Sequence, residues 1–123
     1  MDLRTCLLVT DDPDDHQAFS EAIAEITPAI VLVVVSDADR ALRMLKTKKC
    51  IPDYIFLDLT LHELKSEEFL KGLVSDNTLS TIPMVVYGEE SGFFQTSNIN
   101  TTAFFVKDYD YSELKDFLTK IFR

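Results

Sequence analysis

The chain is expected to fold as an α/β protein, an open sandwich of a five-stranded parallel sheet with helices on both faces. Three observations predict this. Short apolar runs recur at Leu7-Leu8-Val9, Ile30 to Val35, Tyr54 to Leu57, Met84 to Tyr87 and Ala103 to Val106. They are continuously apolar instead of alternating, so both faces of each strand should be covered, as in a sheet between helical layers. Helical periodicity fills most of the gaps, and a repeated β-α alternation implies parallel strands joined by right-handed crossovers.

Taken in order, the helices are predicted by their apolar stripes. Phe19, Ala22, Ile23 and Ile26 recur at i, i+3, i+4 and i+7, as do Ala38, Ala41, Leu42 and Leu45, and then Leu114, Phe117, Leu118 and Ile121. A further helix is expected from Ser66 through Phe69, Leu70, Leu73 and Val74, with Ser66 as its cap and acidic residues in its first turn. Between Glu89 and Thr102 the polar composition supports only a short helix near Phe93 to Asn98.

At 123 residues this is one domain, 1–123, with the composition of a soluble globular protein. A net charge of -9 and the scarcity of basic clusters argue against direct nucleic-acid binding and against anionic membranes, so a protein partner is expected. No run has the length of a membrane span and the N-terminus lacks a signal-peptide pattern, which predicts a cytoplasmic protein. The two cysteines, Cys6 and Cys50, have neither CxxC nor Cys/His spacing and are expected to be structural thiols.

In an open α/β sheet the functional crevice lies beyond the carboxyl ends of the strands. The first strand is followed by Thr10-Asp11-Asp12-Pro13-Asp14-Asp15, the third by Asp58 and the fifth by Lys107. Asp58 ends an apolar run, where an unpartnered carboxylate would be costly, so it is expected at a solvent-reachable lip beside a cation. Strand-end acids and a lysine on one rim suit a hard divalent cation and a phosphoryl group. Asp12 before Pro13 reads as a helix N-cap, with Asp14 and Asp15 complementing the helix dipole. Asp11 is one residue too early for that role and belongs to the strand exit. His16 and His62 lack spaced partners and read as surface residues. Phe93 and Phe94 read as core packing, with an exposed pair in a partner surface as the alternative.

At these residues the chain resembles the receiver domains of two-component response regulators. The resemblance rests on Leu7 to Asp15, Pro52 to Leu59, Ile82 to Val86 and Phe104 to Lys107, matching in order and spacing across essentially the whole chain. It implies a flavodoxin-like (βα)5 sandwich of strand order 2-1-3-4-5. It further implies that Asp58 is the phosphoacceptor, taking a phosphoryl group from a sensor histidine kinase or phosphotransfer protein. Mg2+ would be held by Asp11, Asp58 and the Thr60 main-chain carbonyl, with Lys107 neutralising the phosphoryl charge. A downstream protein target would be met through the fourth-helix, fifth-strand and fifth-helix face, since no output domain is expected after Arg123.

Departures from the family pattern are equally specific. Thr10 replaces the first acid of the family's acidic pair, which weakens magnesium binding unless Asp12 turns inward. Gly88 replaces the switch Ser or Thr whose hydroxyl bonds the phosphoryl oxygen, a contact worth roughly 1.5 to 3 kcal/mol; Ser91 or a backbone N–H is the available substitute. Phe104 fills the aromatic switch position, Asp108 follows Lys107 where a proline is usual, and His62 and Ser66 alter the loop after the acceptor. Thr10 and Gly88 motivate an alternative, a degenerate receiver acting as a phosphorylation-independent interaction module. An aspartate-nucleophile phosphatase would need a second carboxylate two residues after Asp58, where Thr60 stands. With three glycines and no glycine-rich strand-helix loop, nucleotide or flavin binding is disfavoured.

Overall fold

The structure, a computed structural model, describes residues 3–49, 51–58, 63–88, 101–106 and 110–122. Its elements run β1 (Arg4–Val9), α1 (Pro13–Ile26), β2 (Ile30–Val35), α2 (Ala38–Lys46), β3 (Tyr54–Asp58), α3 (Glu63–Val74), a 3-10 turn (Leu79–Thr81), β4 (Met84–Gly88), β5 (Thr101–Val106) and α4 (Tyr111–Phe122). All strand pairs are parallel and the sheet order is β2-β1-β3-β4-β5. The helix expected near Phe93 to Asn98 lies outside the described residues.

Alternation along the strands divides the core into two clusters. Leu7, Val9, Ile55, Leu57, Met84 and Val86 pack with Ala38, Ala41, Leu45, Phe69 and Leu73, covering one sheet face with α2 and α3. Cys6, Leu8, Phe56, Val85 and Tyr87 pack with Phe19, Ala22, Ile23, Leu114, Leu118 and Phe122, covering the other with α1 and α4. Burial on both faces of β1 and β3 is the reason their sequences are continuously apolar. β2 departs from that expectation because it is an edge strand, and Val31 on it is 45% exposed. Cys6 is buried among apolar neighbours, which pushes its thiol well above the ordinary range and makes it inert. Cys50 lies outside the described residues.

Helix starts follow local chemistry. Asp12 caps α1, its Oδ1 accepting the Asp14 N–H at 2.9 Å ahead of Pro13 at the first helical position, and Asp37 caps α2 in the same way through the Asp39 N–H. The expected Ser66 cap is corrected: α3 begins at Glu63, because Glu63-Leu64-Lys65 are good helix formers and extend the helix upstream. Val74, assigned to the buried stripe, is 43% exposed at the last turn, whereas Phe69 and Leu73 are buried. On the other layer, α1 and α4 are joined by the ion pair of Lys115 Nζ with Glu25 Oε2 at 2.9 Å, which holds the Glu25 carboxyl below its usual range.

Gly72 sets how closely α2 and α3 approach. A Cβ built there would lie 2.6 and 2.8 Å from the Cδ atoms of Leu42. Gly72→Val is therefore expected to cost about 1 to 3 kcal/mol by overpacking. In Gly72→Ala, helix propensity of about 1 kcal/mol offsets a smaller displacement of Leu42, leaving stability near the parent value. Urea unfolding of the two variants checks this.

Candidate functional site at the carboxyl edge of the sheet

Thr10, Asp58 and Tyr87 stand at the ends of adjacent strands, and each continues the parity of residues facing α1: Leu8 before Thr10, Phe56 before Asp58, Val85 before Tyr87. Asp58 and Tyr87 are register partners across β3 and β4. Their side chains thus share one face of the sheet at its carboxyl edge. Above them is the first turn of α1, positioned by the Asp12 cap.

Asp58 is fully buried, at 0% exposure, and Thr10 is 2% exposed. This corrects the expectation of a solvent-reachable acceptor carboxylate. The physical reason is its place on a central strand, with Thr10 and Tyr87 flanking it on the face that α1 covers. The burial is supported by polar partners. The Thr10 hydroxyl donates to Asp58 Oδ2 at 2.8 Å, and Thr10 Oγ1 itself accepts the Asp12 N–H at 3.1 Å. A carboxylate taken out of water needs such donors, so Thr10 is an active member of the site and not simply a missing acid.

A second polar pair lies on the same face. The Tyr87 hydroxyl donates to Asp15 Oδ2 at 3.1 Å, and both residues are buried. Burial, then the negative charges of Asp58 and Asp15, push the Tyr87 phenol well above its ordinary range, with a Thr10 hydrogen bond opposing them. Tyr87 therefore stays protonated and is a donor. Sequence reasoning assigned Asp15 to the helix dipole alone and missed this pair. A signal was present, because Asp15 lies four residues before Phe19 and hence on the buried stripe of α1.

The other expected site residues are distributed as follows. Asp11 is exposed at the β1 exit, and Asp12 is half-buried with one oxygen on the helix cap. Together with Thr10 and His16 they line a cleft of about 460 Å³, whose far wall is Val34 and Ser36 at the end of β2. Gly88 ends β4, in register with Val106, and Phe104 lies on β5, its side chain outside what is described. Thr60, His62, Ser91, Phe93, Phe94, Lys107 and Asp108 also lie outside the described residues. Among the described residues no group of three or more His, Cys, Asp or Glu side chains is arranged to hold a metal ion.

The whole backbone arrangement matches solved response regulators. The phosphorylated cyanobacterial phytochrome response regulator RcpA superposes with a TM-score of 0.82 at 28% identity, over 97% of this chain and 91% of that one. The chain has the fold of a response regulator receiver domain. The bacteriophytochrome response regulator RtBRR matches the chain with a TM-score of 0.78 at 25% identity, covering 97% and 76% of the two chains. The Mn2+-bound response regulator Rcp1 has the same fold, with a TM-score of 0.80 at 22% identity over 96% and 91%. No family model and no curated protein sequence matches the chain. Among the described residues no helix is long and apolar enough to cross a membrane.

Proposed function

We propose that this receiver domain accepts a phosphoryl group on Asp58 from a sensor histidine kinase or phosphotransfer protein, and signals through contacts with a downstream protein. The observation that carries the reading is the hydrogen-bonded, fully buried carboxylate of Asp58 at the carboxyl edge of a receiver-type sheet. A carboxylate in that setting is not there for packing, because burying it costs several kcal/mol that an apolar residue would avoid. One Asp58 oxygen is held by Thr10, which orients the carboxylate. The cleft beside it includes Thr10, so the acceptor lies one hydrogen bond behind the cleft wall. Transfer requires that this covering layer shift to uncover the attacking oxygen.

The reaction is acceptance and later loss of one phosphoryl group, without turnover of an external substrate. The Asp58 oxygen attacks phosphorus, the bond to the donor's leaving atom breaks, and an aspartyl phosphate forms. Asp11 and Asp58, with the Thr60 carbonyl, are the hard oxygen donors that suit Mg2+, and Lys107 is the cation for the phosphoryl oxygens. A bound divalent cation supplies charge neutralisation as two anions approach. With Thr10 in place of an acid the ligand count is low, and the remaining positions fall to water and phosphoryl oxygen. The net charge of -9 supports a protein partner over nucleic acid or an anionic membrane.

The test is incubation with acetyl phosphate and magnesium, reading the intact mass. A single phosphoryl adduct on the parent chain, abolished in Asp58→Asn, is expected. An unmodified parent chain would reject the acceptor role.

A further inference from the structure

We propose that Tyr87 and Asp15 are positioning residues for the acceptor: the Tyr87 hydroxyl offsets the Asp15 carboxylate alongside Asp58, and the pair sets how much negative charge the site accepts. This deepens the proposed function and rests on it.

Packing alone does not explain the pair. The Tyr87 ring lies 5.3 Å from Phe19 within an aromatic group that includes Phe56, and a phenylalanine would fill that volume with no polar atom. Asp15 is 5% exposed on the stripe of α1 that carries Phe19, Ala22 and Ile23, where an apolar side chain would pack. Nor does the helix dipole require it, because exposed Asp14 in the same turn serves that purpose without desolvation. Replacing two buried partners together by apolar groups is nearly neutral for folding, whereas leaving either one alone is costly.

Its placement points to Asp58. Tyr87 is the register partner of Asp58, and its phenol feels the Asp58 charge directly. Thr10 bonds Asp58 and interacts with Tyr87 as well, so acceptor and pair belong to one buried polar group. Low local dielectric strengthens electrostatic coupling among such groups. A phosphoryl group on Asp58 adds negative charge to this group. The Asp15 carboxylate then opposes loading, and the Tyr87 hydroxyl, bound to Asp15, reduces that opposition. Gly88, the next residue, offers no side-chain donor of its own.

The two partners consequently act with opposite sign, which a structural role would not produce. The probe is beryllium fluoride at saturating magnesium, a stand-in for the phosphoryl anion, titrated against the whole chain by amide NMR. Tyr87→Phe, which keeps the ring, is expected to weaken binding roughly threefold to tenfold, the equivalent of one hydrogen bond. Asp15→Asn, which keeps an acceptor for the hydroxyl and removes the charge, is expected to tighten it by a similar factor. Affinities that move in the same direction, or stay within about twofold of the parent, overturn the inference while leaving the acceptor role intact. A parent chain that binds no beryllium fluoride overturns both readings together.

Discussion

Phe19→Ala is expected to remove about 3 to 5 kcal/mol of folding stability, as for other buried aromatic-to-alanine changes. Phe19 is 2% exposed and its ring meets Phe56 at 5.5 Å and Tyr87 at 5.3 Å, so it joins α1 to both β3 and β4. The cavity would open between the helix and the centre of the sheet, where neither side can collapse onto the other without moving a strand. Domains of this size are stable by roughly 5 to 15 kcal/mol, so the loss takes a large part of the total. Urea denaturation followed by circular dichroism measures it. A change under about 1 kcal/mol would mean that α1 is not anchored through this ring.

Thr10→Asp is expected to make stability depend on magnesium. The substitution removes the hydroxyl that donates to Asp58 Oδ2 at 2.8 Å and sets a second carboxylate against a fully buried one. Two such carboxylates do not both ionise freely, and the pKa of one is raised above its unfolded value. Losing the hydroxyl donor to a buried carboxylate costs about 1 to 3 kcal/mol. The direction with pH follows from linkage: the folded variant binds more protons than the unfolded chain, so its stability rises as pH falls and is lost as pH climbs toward the raised value. Magnesium, attracted by the added acid, should restore stability at neutral pH. Thermal melts at pH 5 and pH 8, with and without magnesium, give four midpoints that decide the matter. Midpoints indifferent to magnesium would remove Asp11 and Asp58 as its ligands.

Much of this architecture was legible from residue order. Continuous apolar runs marked the strands, since β1 and β3 are buried on both faces, and the i, i+3, i+4 stripe of α1 located Phe19, Ala22 and Ile23. The Asp12-Pro13 pair marked the start of α1 because cap chemistry is local. What escaped depends on contacts between distant segments. The pairing of Asp15 with Tyr87 joins positions 72 residues apart, and neither residue type advertises a partner. The burial of Asp58 comes from its central strand position, flanked by Thr10 and Tyr87 from other segments of the chain. The exposure of Val31 comes from where β2 lies in the sheet, which its own apolar sequence does not state. The start of α3 precedes Ser66 because three good helix formers outweigh a serine's capping preference.

The sheet divides the interior into two apolar compartments that share backbone but no side chains. Asp58, Thr10, Tyr87 and Asp15 all belong to the compartment beneath α1 and α4. Changes confined to the α2 and α3 compartment, such as Leu45 or Leu73 to smaller residues, should therefore add independently to changes at the acceptor when measured together. In such a layout packing on one side of the sheet can be retuned while the electrostatics on the other side stay as they are.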